Sequence, residues 1–413
     1  MKWISTILLL SYATCASGQI RAVAPKAAAE GPTKAIAENS PGVVADGYLY
    51  VSGQGPRRPD GSIPRTFSEE TRQALDNVKG VVEAAGLTMD HVVYVQVYLE
   101  KIEDSEQLDH VFAEYFPKLA PARAVIGVAR VPDSPIEITA IAVVDLDGLR
   151  SVTLPGEKAP QGYSSAVLTH DRIFVSAMPG SDPVTGKVPE DPDAQVNLAL
   201  DRMKAVVENA GLKLANLVFV NPYLTKAIPM RVMNPEYARR FEFGNTPGRA
   251  TIQVTSLPEG AQIAYTGIGV RDLSQRHAIR PKNMPPSPTA SPCVFAGNTL
   301  FCSAKSGFIP GPNSGVYSAG TDQQARQTMR NQLDNLEEAD MKFEQVVFTT
   351  VYLDNLSDMP LFEKVYRKFF PGTPPARVTV QQIPPGDRKA NDEDQYPDLE
   401  QMSLIAVRSN SNH

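Results

Sequence analysis

Apolar and polar positions follow two rhythms along this chain, and the pair of rhythms returns three times. Short apolar runs flank a tight polar break in Val43 to Val51 around Asp46-Gly47, in Ala166 to Val175 around His170-Asp171, and in Cys293 to Cys302 around Gly297-Asn298. Such a break between two apolar runs predicts a β-hairpin, because Asn, Asp and Gly tolerate the backbone of a two-residue turn. A helical rhythm follows each hairpin. Ser68 to Gly86 has an N-cap Ser, apolar residues at helical spacing and a closing Gly, and Asp193 to Gly211 and Thr321 to Asp340 repeat it. Next come the apolar runs Val92–Leu99, Leu217–Leu224 and Val346–Leu353, each predicting a buried strand. In the first unit a short helix over Gln107 to Phe116 and strands over Arg123 to Val131 and Ile136 to Val144 complete the set.

The recurrence has one period. Ser52, Ser176 and Ser303 are 124 and 127 residues apart; Tyr98, Tyr223 and Tyr352 are 125 and 129 apart; Arg123, Arg249 and Arg377 are 126 and 128 apart. That length suits a small domain, and it is too long for a solenoid repeat. The chain therefore reads as an N-terminal segment over 19–38, domains over 39–150 and 151–272, a Pro-rich linker over 273–292, and a third domain over 293–413 with an insertion at 386–398. Strands early and late with two helices between them predict an α+β domain. Each sheet has a second apolar face that needs cover, which predicts three sheets turned inward as an intramolecular pseudo-trimer, and a monomeric protein.

Composition narrows the function. Residues 1–18 have the features of a secretory signal: Lys2, an apolar run from Ile4 to Ala13, and small residues Ala16-Ser17-Gly18 before Gln19. That predicts export, periplasmic or secreted, with no membrane span after cleavage; Cys15 leaves a lipidated start open. A net charge of -6 without a basic run argues against nucleic acid as a partner. His91, His110, His170, His277 and His413 show no ligand spacing, and with three Cys in the chain no metal site is expected. No phosphate loop or nucleophile elbow appears, so no cofactor is expected. Tyr94, Tyr98, Phe219 and Phe348 read as core and seam packing. Hairpin counting sets Cys293 opposite Cys302 as a non-hydrogen-bonded pair. An oxidising compartment would join them, and a reducing one would leave two facing thiols.

Four motifs in order carry a resemblance: Val-Ser-Gly-Gln at Ser52, the helix end Asn77 to Leu87, Pro-Ala-Arg at Arg123, and Glu137 to Val143. Together they resemble the reactive intermediate deaminase (Rid) family, closely over the first unit and more loosely over the other two. The resemblance implies chorismate-mutase-like α+β domains with ligand clefts between neighbours. It also implies hydrolysis of enamine and imine intermediates, such as 2-aminoacrylate, to 2-keto acids and ammonia. It assigns Arg123, Arg249 and Arg377 to the carboxylate of a small ligand, a task suited to the guanidinium fork. It assigns Ser52, Gly53, Ser176 and Ser303 to the clefts, Tyr163 to one of them, and Glu137 to orienting or deprotonating water. Asn39 and Ala290 stand where Tyr163 does, and Ala264 and Gln401 where Glu137 does. One complete cleft is expected, built on Arg123 and Glu137. Two other readings stay open: a secreted small-carboxylate binding or scaffold protein without turnover and, least supported by the charge, an endoribonuclease.

Overall fold

The computed structural model describes residues 19–25, 39–133, 135–154, 162–282, 284–311 and 315–408. The signal-like segment and Cys15 lie outside them.

The first unit is a six-stranded sheet. Its strands are β1 (Arg21–Val23), β2 (Gly42–Ala45), β3 (Tyr48–Gln54), β4 (Val92–Leu99), β5 (Ala122–Gly127) and β6 (Ile136–Val143), in the order β1-β2-β3-β6-β4-β5. Helices α1 (Phe67–Ala84) and α2 (Ser105–Tyr115) cover one face. In the second unit β7 (Arg150–Val152), β8 (Ala166–Leu168), β9 (Arg172–Pro179), β10 (Leu217–Leu224), β11 (Gly248–Arg249), β12 (Ile252–Gln253) and β13 (Ile263–Val270) repeat the sheet. Their helices are α3 (Pro192–Asn209) and α4 (Met230–Ala238). The third unit holds β14 (Arg276–Ile279), β15 (Cys293–Ala296), β16 (Thr299–Ser306), β17 (Val346–Leu353), β18 (Ala376–Gln381) and β19 (Glu400–Val407), with α5 (Thr321–Glu338) and α6 (Met359–Tyr366). The fold class is the expected one: three tandem α+β domains.

Local chemistry explains most of the boundaries. Asp46 and Gly47 both take positive φ, as a mirror-image hairpin turn requires. Helix α1 begins at Thr66 rather than Ser68: Thr66 Oγ1 accepts from the Glu69 N–H while the Glu69 carboxylate accepts from the Thr66 N–H. This capping box satisfies two otherwise orphaned donors, and Ser68 offers no such pair. The segments read as connectors, 19–38 and 273–292, contribute the edge strands β1 and β14. Three or four mixed residues carry too little periodicity to announce a strand. Cys293 pairs with Cys302 in the expected register, Cα atoms 4.0 Å apart, and the two form a disulfide.

The inner faces of all three sheets share one apolar core. Ring pairs close around it: Tyr94 on Phe174 at 6.4 Å, Phe219 on Phe301 at 6.2 Å, and Phe348 on Tyr50 at 6.3 Å. Each pair joins one domain to the next, and the last returns to the first. Near the axis the three equivalent positions hold different residues, Tyr48, Arg172 and Thr299. Arg172 is 1 % exposed; it donates to Thr299 Oγ1 at 2.6 Å and Asp46 Oδ2 at 3.1 Å, and lies 4.1 Å over the Tyr48 ring. Three identical domains could not supply this set. Three copies of the second domain would bring three arginines together there.

Candidate functional site

Each seam is built by one repeated contact. The backbone N–H of Arg123 donates to Ser176 Oγ at 2.7 Å, that of Arg249 to Ser303 Oγ at 2.8 Å, and that of Arg377 to Ser52 Oγ at 2.8 Å. Each serine hydroxyl in turn donates to a carbonyl twelve residues earlier: Ser176 to Ser164, Ser303 to Ser291, Ser52 to Ser40. Each arginine therefore meets the serine of the following domain, never that of its own. A seam takes its Arg from one domain and its Ser from the next.

This rule relocates the carboxylate. Glu137 stands on β6 opposite Tyr98, in register with Ala264 opposite Tyr223 and Gln401 opposite Tyr352. A Cβ added at Gly53 would lie 2.1 Å from Glu137 Oε1, so the carboxyl rests on the backbone beside Ser52. Its counterpart Gln401 reaches across its own seam to the Thr251 carbonyl at 3.3 Å. Glu137 thus belongs to the seam of Arg377, between the third and first domains. Arg123 and Glu137, expected in one cleft, face different neighbours: β5 packs against β9 of the second domain, whereas β6 pairs with β3, the strand on which β18 of the third domain packs.

The seam of Arg123 holds Ser176 and Tyr163, with Ala264 in place of an acid. The Arg123 guanidinium lies 4.4 Å over Tyr163 and 4.8 Å over Phe112, and Nη2 donates to Asp109 at 2.5 Å. The seam of Arg377 holds Ser52 and Glu137, with Asn39 in the tyrosine's place donating to Ser52 Oγ at 3.0 Å. Arg377 pairs with buried Glu363 at 2.7 Å and lies 4.9 Å over Tyr366; its Nη1 is buried without a partner among the described residues. Here burial, with Asp133 adding to it, pushes the Glu137 carboxyl up to about 8. Arg, Ser, Tyr and Glu are therefore divided between two seams, and neither has all four.

The seam of Arg249 differs in charge. Its guanidinium donates to Asn234 Oδ1 at 2.8 Å and lies 5.2 Å from the Tyr237 ring, where the other two arginines have Asp109 and Glu363. Burial makes its cationic form costlier. This seam opens into a cavity of about 750 Å³ lined by Arg249, Thr251, Ser303, Lys226, Lys305 and Gln401, among others. Sequence reasoning gave this seam no lysine. Lys305 occupies the position of Gln54 and Met178, and that substitution was the available signal. Among the described residues no group of His, Cys, Asp and Glu is placed to hold a metal.

A single family model recurs three times along the chain, in keeping with the three domains. The family model described as endoribonuclease L-PSP matches residues 30–144, 156–266 and 283–386. A RutC family protein of Pyrococcus horikoshii is 40 % identical over 116 residues, spanning 27 % of this chain and 92 % of its own. The crystal structure of the E. coli yjgF gene product matches at 36 % identity and TM-score 0.26, over 27 % of this chain and 91 % of its own. A Yersinia pestis protein of the conserved Rid family matches at 32 % identity and TM-score 0.28, over 30 % of this chain and all of its own.

Proposed function

Since the chain belongs to the Rid (YjgF, endoribonuclease L-PSP) family, we propose that it hydrolyses enamine and imine intermediates of amino acids to 2-keto acids and ammonia. The reaction runs at the seam of Arg377, Ser52 and Glu137. The observation that carries this reading is the Glu137 carboxyl, buried at a domain seam and pushed up to about 8. A carboxyl tuned near the working pH exchanges protons readily in both directions. In its ionised form Glu137 takes a proton from water attacking the imine carbon; in its neutral form it returns one to the departing nitrogen. Arg377 holds the substrate carboxylate through its unpartnered Nη1.

The protein acts after export, as a monomer with three internal seams. The leader pattern of residues 1–18 and the Cys293–Cys302 disulfide support export. The distribution of Tyr163 and Glu137 over different seams favours a second reading, carboxylate binding without turnover. The test is release of ammonia and 2-keto acid from an enzymatically generated 2-imino acid. Acceleration by the wild type and its loss in Glu137→Gln support the deaminase; binding without acceleration supports the second reading.

A further inference from the structure

The seam of Arg249 lacks an acid where Glu137 would stand, but it holds an amine. Lys305 lies two residues beyond Ser303 on β16, paired with Met402 next to Gln401. It lines the same cavity of about 750 Å³ as Arg249 and Ser303. We propose that Lys305 is a nucleophile that captures 2-oxo acids as a Schiff base while Arg249 holds their carboxylate.

Three observations converge on this. Arg249 bonds an amide, Asn234, where Arg123 and Arg377 bond carboxylates, so more of its charge is left for an anionic ligand. Lys305 stands where the other domains carry Gln54 and Met178, neither able to form an imine. Lys305 is half-buried, and burial lowers the pKa of its ammonium against a smaller opposing pull from Asp334. A desolvated lysine holds more of the free amine, the form that attacks carbonyl carbon.

The step balances without another reactant. The neutral Nζ adds to C2 of the 2-oxo acid and forms a carbinolamine. The carbonyl oxygen then leaves as water, taking the two amine hydrogens, and a C2–Nζ double bond remains. With a 2-imino acid the same attack expels ammonia instead of water. Gln401 can orient a water by hydrogen bonding but cannot accept its proton, so the adduct should persist longer than an imine beside Glu137 would.

This inference rests on the reading that the seams take 2-oxo and 2-imino acids, but its readout is separate from turnover. The full chain is incubated with pyruvate and sodium cyanoborohydride, and peptides are mapped by mass. The expected result is one reduced adduct on Lys305, absent from Lys305→Met. Arg249→Ala should lower the labelled fraction about tenfold at fixed pyruvate, the effect of losing a charge-assisted contact. Glu137→Gln should label like the wild type whether or not turnover is detected, so failure of the deaminase reading leaves this result intact. Labelling of Lys226 in place of Lys305, labelling spread evenly over exposed lysines, or labelling indifferent to Arg249 would overturn the proposal.

Discussion

Ser52 Oγ accepts the backbone N–H of Arg377 at 2.8 Å, although 325 residues separate them in the chain. This contact closes the ring of three domains and places Glu137 beside the arginine of the last domain. It follows that Arg377→Ala should lower turnover by about two orders of magnitude or more, the loss of a charge-assisted substrate contact with part of its positioning. Arg123→Ala should change turnover less than threefold or so, on the same argument that it touches no substrate at the Glu137 seam. Equal damage from both, in steady-state assays on folded variants, would contradict a single working seam at Arg377, and greater damage from Arg123→Ala would return it to Arg123.

Glu137 should also cost stability. Its folded pKa is raised from 4.5 to about 8 by burial. Below the unfolded value the carboxyl is neutral in both states. Between the two values the unfolded chain ionises while the folded one stays protonated, so stability is lost as pH rises toward 8. Glu137→Gln removes this loss. Its stability relative to the wild type should rise by about 2–4 kcal/mol between pH 4 and pH 8.5, measured by denaturant unfolding. A difference independent of pH would show that the carboxyl is not shifted.

The domain repeat, the hairpins, the disulfide register and the Ser and Arg positions could all be read from the sequence, since turn chemistry and spacing are local. Seam membership could not. Glu137 lies fourteen residues from Arg123 in sequence, yet strand β4 separates β6 from β5 in the sheet, and the neighbour that completes each seam is set by packing. Gly53 itself carries a further signal. Gly53 corresponds to Ala177 and Ala304, and only Gly53 faces a Glu; the missing Cβ marks where that carboxyl rests. The axial set of Tyr48, Arg172 and Thr299 was equally invisible, because each residue is unremarkable in its own hairpin.

Arg172 supplies a stability test. Arg172→Met leaves Asp46 half-buried without its cation and should destabilise the protein by about 3 kcal/mol or more. Adding Asp46→Asn should recover part of that loss, since the amide carries no charge to strand. Additive losses in the double variant would remove Arg172 as the partner that matters to Asp46.

Reduction of Cys293–Cys302 should cost only about 2–3 kcal/mol, because the closed loop is short. The first two domains hold Gly42 with Val51 and Ala166 with Val175 at these places, so the fold does not need the bond. Thiol titration of the unfolded, unreduced protein should find neither cysteine free; two titrating thiols would contradict the disulfide.

The most direct measurement is ammonia release from an enzymatically generated 2-imino acid, followed against pH for the wild type and Glu137→Gln. The expected result is acceleration by the wild type, with kcat/KM rising as a group near pH 8 loses its proton, and none by Glu137→Gln. A wild type no faster than buffer, or a Glu137→Gln variant as fast as the wild type, would contradict catalysis at this seam.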